Sequence, residues 1–226
     1  MKEVPQHIGL TMDGNRRWAR EHGVEVKKGH EEGARRIEPL VDYAARQGIK
    51  YLTFYAFSTE NFGRQEDEKS AIFQVFDMML RDAVVERMME NKVRVNVIGD
   101  IDRFPRMIAG SVKKLVKRSA KNDTITANFA LNYGGRQEMV QAVKKALSAG
   151  EEISEGTISR HLYTAGQPDP ELLVRPGGER RLSNFLTWQS VYSELYFVDT
   201  LWPDFTPQEF AKALDWYEAR QRRFGK

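Results

Sequence analysis

The amino-acid sequence predicts an α/β fold, a single domain with a central, mostly parallel β-sheet flanked by helices. Two observations lead to this prediction. Short apolar runs rich in β-branched and aromatic residues recur along the chain, and stretches with helical periodicity lie between them. No repeat, low-complexity segment or Pro/Ser-rich linker interrupts the 226 residues, a length that one α/β domain can fill. We therefore expect one domain over residues 1–226.

Six runs have the composition of buried strands. In chain order they are HIGLTM, YLTFYAF, VRVNVIG, TITANFAL, ELLVR and a shorter one near the C-terminus, ELYFVD. Their nearly continuous apolar character is typical of parallel strands that are covered on both faces. Ligands of such sheets bind beyond the carboxyl ends of the strands, so polar residues that follow these runs are the first candidates for a site.

Helical periodicity predicts helices over residues 31–47, 68–91, 104–121, 136–149 and 207–223. A shorter helix is predicted from Asn15, as the N-cap, to His22, with Gly23 ending it. The 68–91 helix is unusually rich in Met and Phe. The ordinary interpretation is a helix packed on the sheet, but these side chains also suit a deformable wall for an elongated apolar ligand. They are Phe73, Phe76, Met78, Met79, Met88 and Met89.

Composition limits the class of protein. The chain has no cysteine, which excludes disulfides, thiolate catalysis and Cys-type zinc sites. The N-terminus lacks the apolar region of a secretory signal, and no run approaches the roughly 18 residues of a membrane span. We expect a soluble, cytoplasmic protein. The net charge is only +3, and basic residues occur in short pairs instead of a stripe, which favours small phosphorylated ligands over nucleic acid.

The first candidate motif is HIGLTMDGNRRWAR, where a predicted strand ends directly before Asp13. Gly14 allows a phosphate to approach the backbone, and the helix that starts at Asn15 offers free N–H groups. Arg16 and Arg17 add charge-assisted donors. Phosphate would repel Asp13 unless magnesium bridged them, which is how carboxylates and diphosphates share that ion. On this motif alone, the alternative that Asp13 and Asn15 only cap a helix stays open.

Three further segments follow predicted strands or begin one. AFSTENFGR places Ser58, Thr59, Glu60, Asn61 and Arg64 in a loop, which is a weak signal by itself. VRPGGERRLSNF sets arginines and Ser183 around a Gly pair, an arrangement suited to a second oxyanion group. In SELYF, Glu194 could supply a second metal oxygen. We expect Asp13, Ser58–Asn61 and Arg175 to converge on one edge of the sheet.

Other chemistries are not indicated. The sequence contains no G-x-x-x-x-G-K-[ST], G-x-G-x-x-G, H-E-x-x-H or G-x-S-x-G pattern. Its four histidines are too scattered to form a metal site by spacing, and an Asp-Asp-x-x-Asp motif is also absent.

Taken together, the motifs resemble those of the cis-prenyltransferase family, of the undecaprenyl diphosphate synthase type. MDGNRRWA, Gly29-His30, YAFSTENFGR, NYGGR, RPGGERRLSNFLTWQ and YSELYF occur in that family's order, from about residue 7 to 225. The resemblance implies an α/β fold with an apolar tunnel. It also implies a homodimeric, magnesium (Mg2+)-dependent transferase that adds isopentenyl diphosphate to an allylic diphosphate with Z geometry. The product would be a polyprenyl diphosphate lipid carrier precursor, released with peripheral membrane contact.

The resemblance also implies residue roles. Asp13 matches the essential aspartate that meets the metal, and Glu194 matches a metal-binding glutamate contributed in the dimer. Asn61 corresponds to a residue proposed to assist proton removal. The implied allylic diphosphate cradle comprises Gly14, Asn15, Arg16, Arg17 and His30, with Arg64 nearby. The implied isopentenyl diphosphate site comprises Arg175, Arg181 and Ser183. Trp18, Phe57, Ser58 and Phe62 resemble the lining around the reacting carbons, with Thr59 and Glu60 beside them. The ending RRFG resembles an Arg-x-Gly that reaches a neighbouring subunit's site.

The sequence departs from the family pattern in ways that leave alternatives open. Pro176-Gly177 replaces hydroxyl-bearing residues in the second loop, Val26 stands where a basic residue is common, and Ala127 replaces a common Leu near the tunnel floor. An open floor predicts medium to long products. One alternative is an enzyme with short-chain or irregular, head-to-middle coupling. Another is a non-catalytic partner subunit, although such subunits have typically lost the aspartate and arginine cradle that this chain keeps.

Overall fold

The computed structural model describes residues 4–81 and 83–220, and in them six strands form one parallel sheet. Its order is β3-β4-β2-β1-β5-β6, and every neighbouring pair is parallel. The predicted fold class and all six predicted strands are confirmed. The strands are β1 (His7–Thr11), β2 (Tyr51–Ser58), β3 (Val93–Ile98), β4 (Ile125–Tyr133), β5 (Leu172–Arg175) and β6 (Glu194–Phe197).

Helices cover both faces of this sheet. They are α1 (Asn15–Glu21), α2 (Val26–Arg35), α3 (Ile37–Arg46), α4 (Glu66–Arg81), α5 (Ala83–Glu90), α6 (Arg106–Ser119), α7 (Gly135–Ser148), α8 (Glu155–His161) and α9 (Pro207–Glu218). Short 3-10 helices occupy Thr59–Gly63, Ile101–Arg103 and Trp202–Asp204. In the part of the chain that the structure describes, no helix is both long and apolar enough to cross a membrane.

Helix boundaries differ from the predictions in identifiable ways. The predicted 31–47 helix is two helices, because Pro39 has no N–H to continue the hydrogen-bond ladder across Arg36. The predicted 68–91 helix is assigned as α4 and α5, with Asp82 outside the described residues. Helix α8 was not predicted, since seven residues are too few to show a period; the Ser154 side chain caps it by accepting from the Thr157 N–H.

The prediction that Asn15 is an N-cap is wrong. Helix α1 begins at Asn15 itself and follows Gly14, whose φ of 114° is in the left-handed region. The Asn15 side chain instead donates from Nδ2 to the Met12 carbonyl, 3.1 Å away. The predicted end at Gly23 is confirmed: its φ is 64°, and its N–H donates to the Arg20 carbonyl.

The core lies on both sides of the sheet. On one face, residues of β1, β2, β4 and β5 pack against α3, α9 and the Trp202–Asp204 segment. On the other, Ala130, Tyr133 and Leu173 pack with Phe185 and Leu186. A third cluster, centred on Phe57 and Phe104, lies beneath α4 and α6. Because all strands are parallel, their carboxyl ends meet at one edge, and that edge is where the polar side chains gather.

Candidate active site

A cavity of about 670 Å³ extends from the carboxyl ends of β1, β2 and β5 into the space beneath α4, α5 and α6. The structure brings together the three segments expected to converge at this edge, those around Asp13, Ser58–Asn61 and Arg175. The polar end of the cavity is lined by Asp13, Asn15, His30, Ser58, Glu60, Asn61, Arg64, Arg175, Ser183 and Asn184.

Two guanidinium groups flank the Asp13 carboxylate. Arg175, the last residue of β5, places Nη2 at 3.0 Å from Asp13 Oδ2, and Arg17 places Nη2 at 3.5 Å from Oδ1. The Arg175 side chain is only 9% exposed, whereas that of Asp13 is 35% exposed. A buried guanidinium requires a paired charge, so Asp13 fixes Arg175 while its own oxygens still reach the cavity.

Gly177 permits this arrangement. Its φ is 94°, and a Cβ at this position would lie 2.8 Å from Arg17 Nη2 and 3.0 Å from the Asp13 carbonyl oxygen. The loop is also anchored by backbone hydrogen bonds, from the Gly177 N–H to Thr200 and from the Gly178 N–H to Val198. Although Pro176 differs from the family pattern, the loop is still attached by these hydrogen bonds to the chain that follows β6.

The Arg175 guanidinium also contacts the residues implied for isopentenyl diphosphate. Arg175 Nη1 donates to Ser183 Oγ at 2.9 Å and also to the Arg181 carbonyl. The Arg181 guanidinium, by contrast, is 60% exposed, pairs with Glu179 and does not line the cavity. Of the three residues implied for isopentenyl diphosphate, Arg175 and Ser183 therefore line the cavity and Arg181 does not.

His30 contributes an uncharged ring to the polar end. Burial, and next the nearby Arg64 guanidinium, lower the pKa of His30 from 6.5 to about 4, against the opposing effect of Glu68. The imidazole is therefore neutral at pH 7, with one ring nitrogen able to donate. Within the described residues, its Nε2 is buried without a hydrogen-bond partner, as is Asn15 Oδ1. Of these two atoms, only His30 Nε2 can donate to a ligand oxygen, in the tautomer that carries the proton there.

Arg64 and Arg16 are joined through Glu68 of α4. Arg64 Nη1 lies 2.7 Å from Glu68 Oε1, and Arg16 Nη1 lies 3.5 Å from Glu68 Oε2. Arg64 lines the cavity, whereas Arg16 is exposed and lies outside it. Arg64 is therefore the nearer of the two cations to the site, and Glu68 lies between it and Arg16.

The turn after β2 is closed by hydrogen bonds between its own residues. Ser58 and Asn61 form a capping box, in which the Ser58 N–H donates to Asn61 Oδ1 at 3.0 Å and the Ser58 side chain accepts from the Asn61 N–H. Burial acts to raise the pKa of Glu60, but hydrogen bonds from its own N–H, Ser58, Asn184 and Thr59 outweigh it and lower that pKa. Glu60 is thus an anion at pH 7. Thr59 is part of this turn but does not line the cavity.

Three aromatic residues expected around the reacting carbons, Trp18, Phe57 and Phe62, do not line the cavity. The Trp18 indole donates to Asp204 Oδ1 at 2.9 Å and stacks on His22. Phe57 is fully buried, with its ring centroid 5.0 Å from that of Phe62. The physical reason lies in β2, whose register against β4 shifts on either side of Phe57 and turns that side chain into the cluster behind the cavity.

The remainder of the cavity is apolar. Phe76, Met79 and Met88 of the predicted deformable wall line it, whereas Phe73, Met78 and Met89 do not. The other apolar residues lining it are Met12, Ala34, Ile37, Ala56, Ile72, Val75, Leu80, Val84, Val85, Val95, Val97, Val112, Leu115, Phe129 and Leu131. Ala127 does not line the cavity, but it pairs in register with Val95, which does, so it lies beside the deepest β3 position that the cavity reaches.

Glu194 is not near Asp13 within one chain. It is the first residue of β6, and the register pairs Leu172 with both Ile8 and Glu194, which places Glu194 level with Ile8. Its Oε2 lies 3.2 Å from Arg220 Nε. One chain therefore does not bring Glu194 to Asp13, and the metal-binding role of Glu194, expected across a dimer, stays a prediction. The RRFG ending lies outside the described residues.

The described residues contain no cluster of three or more His, Asp or Glu side chains that could hold a metal ion. Magnesium does not need one, because it is bound through one or two carboxylates together with water and substrate phosphates. The partly exposed carboxylate of Asp13, at the polar end of the cavity, fits that requirement.

Two residues of the site were not singled out from the sequence. Tyr55 lines the cavity and donates from its hydroxyl to the Ser183 carbonyl, 3.2 Å away. Asn184 lines it too and adopts a φ of 66°. The sequence did carry a signal for Asn184, namely an Asn that follows a Gly-rich loop. Asn tolerates the left-handed region of φ better than most residues do.

Comparison with known proteins agrees with this geometry. The profile of the undecaprenyl diphosphate synthase family matches residues 11–225. The chain is 44% identical to an isoprenyl transferase of Fusobacterium nucleatum, over 99% of this chain and 97% of that protein. It is 42% identical to an isoprenyl transferase of Aquifex aeolicus, with the same shares covered.

Two solved structures share the fold over essentially the whole of both chains. A lavandulyl diphosphate synthase from Lavandula x intermedia, in complex with dimethylallyl diphosphate, superposes with a TM-score of 0.94 at 34% identity, covering 99% of each chain. A probable undecaprenyl diphosphate synthase from Campylobacter jejuni has a TM-score of 0.85 at 32% identity, covering 100% of each chain.

Proposed function

This chain belongs to the undecaprenyl diphosphate synthase family of prenyltransferases, and from that premise we propose that it adds isopentenyl diphosphate to an allylic diphosphate with Z geometry. The product is a polyprenyl diphosphate that serves as a lipid carrier precursor. One observation supports this proposal most directly: a polar end built around Asp13 and Arg175 continues without interruption into an apolar cavity. A diphosphate head and a prenyl chain require that combination.

The allylic diphosphate is bound between β1 and α4. Breaking its C–O bond develops negative charge on the diphosphate, which Arg17, Arg64 and the neutral His30 stabilise by donating hydrogen bonds. Asp13 would hold magnesium, which supplies charge neutralisation to the departing diphosphate when bound. The apolar lining excludes water from the allylic carbons, so that the acceptor alkene competes with little solvent.

The second substrate is bound by Arg175 and Ser183. Holding the two diphosphates on neighbouring strand ends places the alkene of one substrate beside the allylic carbon of the other. After the new C–C bond forms, a proton leaves the adjacent carbon. Asn61 is a neutral amide whose Oδ1 is already occupied by the Ser58 N–H, so it orients the substrate through Nδ2. The basic oxygens of diphosphate are the chemically suited proton acceptor.

The active form is a homodimer in this proposal. Edge strand β6 exposes Leu195, and the residues just before it, Val191 and Tyr192, are 71% and 81% exposed. Pairing of two chains at this edge would cover these side chains and carry Glu194 toward the partner's site. The protein acts in the cytoplasm, with peripheral membrane contact when the lipid product leaves.

A second candidate function is irregular, head-to-middle coupling of allylic diphosphates, favoured by the superposition on a lavandulyl diphosphate synthase. One experiment separates the two. Purified protein with Mg2+ receives radiolabelled isopentenyl diphosphate and allylic starters of different lengths, or dimethylallyl diphosphate alone. Z-polyprenyl products that require both substrates support the proposal, and products from dimethylallyl diphosphate alone support irregular coupling. Absence of any product, or full activity in excess EDTA, contradicts the proposed magnesium-dependent reaction.

A further inference from the structure

We propose that Asn184 is a positioning residue that sets the second diphosphate site against the turn carrying Asn61; the inference rests on the function proposed above. Asn184 directly follows Ser183, whose hydroxyl accepts from Arg175. It lines the cavity yet uses its side chain to bind protein groups on two other elements. Its role would therefore be exerted through its neighbours.

Four hydrogen bonds fix Asn184. Its Oδ1 accepts from the Arg136 N–H at 2.9 Å, and its carbonyl accepts from the Gly135 N–H at 2.8 Å, so it occupies two free donors at the start of α7. Its Nδ2 donates to Glu60 Oε1 at 3.1 Å and to Gln137 Oε1 at 3.2 Å. One side chain thus joins the second-site loop to α7 and to the turn after β2.

The backbone at this point depends on these contacts. Ser183 and Asn184 have φ values of 51° and 66°, a region that costs an ordinary residue free energy and is held only by surrounding interactions. Two further groups hold Ser183, Arg175 through the Ser183 hydroxyl and Tyr55 through the Ser183 carbonyl. Without the Asn184 side chain, only the backbone hydrogen bond from the Gly135 N–H would hold the chain on the C-terminal side of Ser183.

Gly134 shows how closely the three elements meet. A Cβ at Gly134 would overlap Gln137 Oε1, would lie 2.6 Å from Asn184 Nδ2 and would lie 2.9 Å from Thr59 Oγ1. Since φ of Gly134 is −155°, its backbone is one that any residue can adopt, and close approach is the requirement. Because Asn184, Glu60 and Gly134 meet so closely, the position of the turn that carries Asn61 fixes the position of the second diphosphate site.

Asn184→Asp separates this role from simple folding. The variant is nearly isosteric and keeps the Oδ1 acceptor and the tolerance of positive φ. Gln137 can turn its amide to donate, but Glu60 then faces a second carboxylate with no donor between them. Asn122→Asp is the matched control, since Asn122 Nδ2 donates to the Val93 carbonyl away from the cavity. In the double variant Glu60→Gln with Asn184→Asp, the new amide at position 60 can donate to the new carboxylate at position 184. The hydrogen bond is then restored with its direction reversed.

We expect Asn184→Asp to weaken isopentenyl diphosphate binding, measured by calorimetry, about tenfold, as befits loss of a hydrogen bond to a charged group. In turnover assays, kcat/KM for isopentenyl diphosphate should fall at least as much, while KM for the allylic starter stays within about twofold of wild type. The double variant should recover part of the loss relative to Asn184→Asp, and Asn122→Asp should resemble wild type.

Unchanged binding and kcat/KM for isopentenyl diphosphate in Asn184→Asp would overturn the inference. So would equal losses for both substrates that follow a lower Tm, or a double variant no better than Asn184→Asp. Wild-type protein that binds isopentenyl diphosphate without making product would refute the proposed function, while the calorimetric comparison would still decide the role of Asn184.

Discussion

Asp13 and Arg175 join the ends of two adjacent strands through a 3.0 Å contact between Oδ2 and Nη2. The guanidinium also binds Ser183 Oγ, so a single buried side chain touches groups from both proposed diphosphate sites. Because Arg175 is almost fully buried, its charge depends on Asp13 for compensation. The pair therefore stabilises the fold, by compensating a buried charge, and also positions the proposed diphosphate sites. Substitutions can separate these two effects.

We expect Asp13→Ala to abolish turnover while the protein still folds, because Asp13 acts on charge that develops as the allylic bond breaks. Asp13→Asn is the control, since it keeps an acceptor for Arg175 but cannot hold magnesium as a carboxylate does. Both should lower kcat by about 10²-fold or more, and Asp13→Asn should keep a Tm closer to wild type. Steady-state kinetics and calorimetry measure this. A folded Asp13→Ala protein with a near wild-type rate would show that the assigned role is wrong.

Substitutions of arginines in the two proposed diphosphate sites should have different kinetic effects. We expect Arg181→Ala to raise KM for isopentenyl diphosphate more than for the allylic starter, and Arg17→Ala to do the reverse or to lower kcat. A lost charge-assisted hydrogen bond corresponds to about 10- to 100-fold in each case. Arg180→Ala, an exposed neighbour, is the matched control. Because the Arg181 guanidinium lies outside the cavity in this structure, its effect requires movement toward the bound substrate. Identical effects on both substrates would argue against two sites.

Stability should fall as the pH is lowered from about 6.5 to about 4. Burial lowers the pKa of His7 and of His30 from 6.5 to about 4. Over that interval the unfolded chain binds protons that the folded chain does not, so the free energy of unfolding decreases toward acid. Each histidine accounts for ~3 kcal/mol at most. Denaturant titrations at several pH values measure this.

His7→Asn tests one half of that dependence. Its amide can replace the contact between His7 Nδ1 and the Pro168 carbonyl without a titrating ring. The variant should show a flatter decline between these pH values, whatever its stability at pH 8. An acid decline as steep as that of wild type would assign the effect to other groups.

Product length should respond to Ala127. A larger side chain there must push Val95 or enter the cavity, because Ala127 is fully buried and pairs with Val95 in register. We expect Ala127→Leu to shorten the products, and Met88→Ala, which removes a side chain lining the cavity, to lengthen them. Ala130→Leu is a matched control, since Ala130 is equally buried but packs in the cluster on the other face. Overpacking costs about 1–3 kcal/mol in either variant.

Chromatography of the products decides this prediction. A distribution that Ala127→Leu leaves unchanged, or that Ala130→Leu changes equally, would show that another part of the chain sets product length. The rate of the first condensation should change little in all three variants, because the polar end lies away from these positions.

The sequence by itself determined the sheet, the segments at its functional edge and the family. Apolar runs and their spacing are local properties, and parallel order then sends every strand's carboxyl end to one edge. Asp13, the Ser58–Asn61 turn and Arg175 could therefore be assigned to one site before any contact was known. The Pro39 interruption between α2 and α3 was also present in the sequence, as the missing N–H that a continuous helix would need.

Only the tertiary structure decided which side chains enter the cavity. The register shift at Phe57 turns that ring away from it, and the position of β6 at the sheet edge sets Glu194 level with Ile8, away from Asp13. Asn184 joins residues more than forty positions apart. Such contacts depend on strand order, register and backbone angles at single residues, none of which a local pattern of apolar and polar residues specifies.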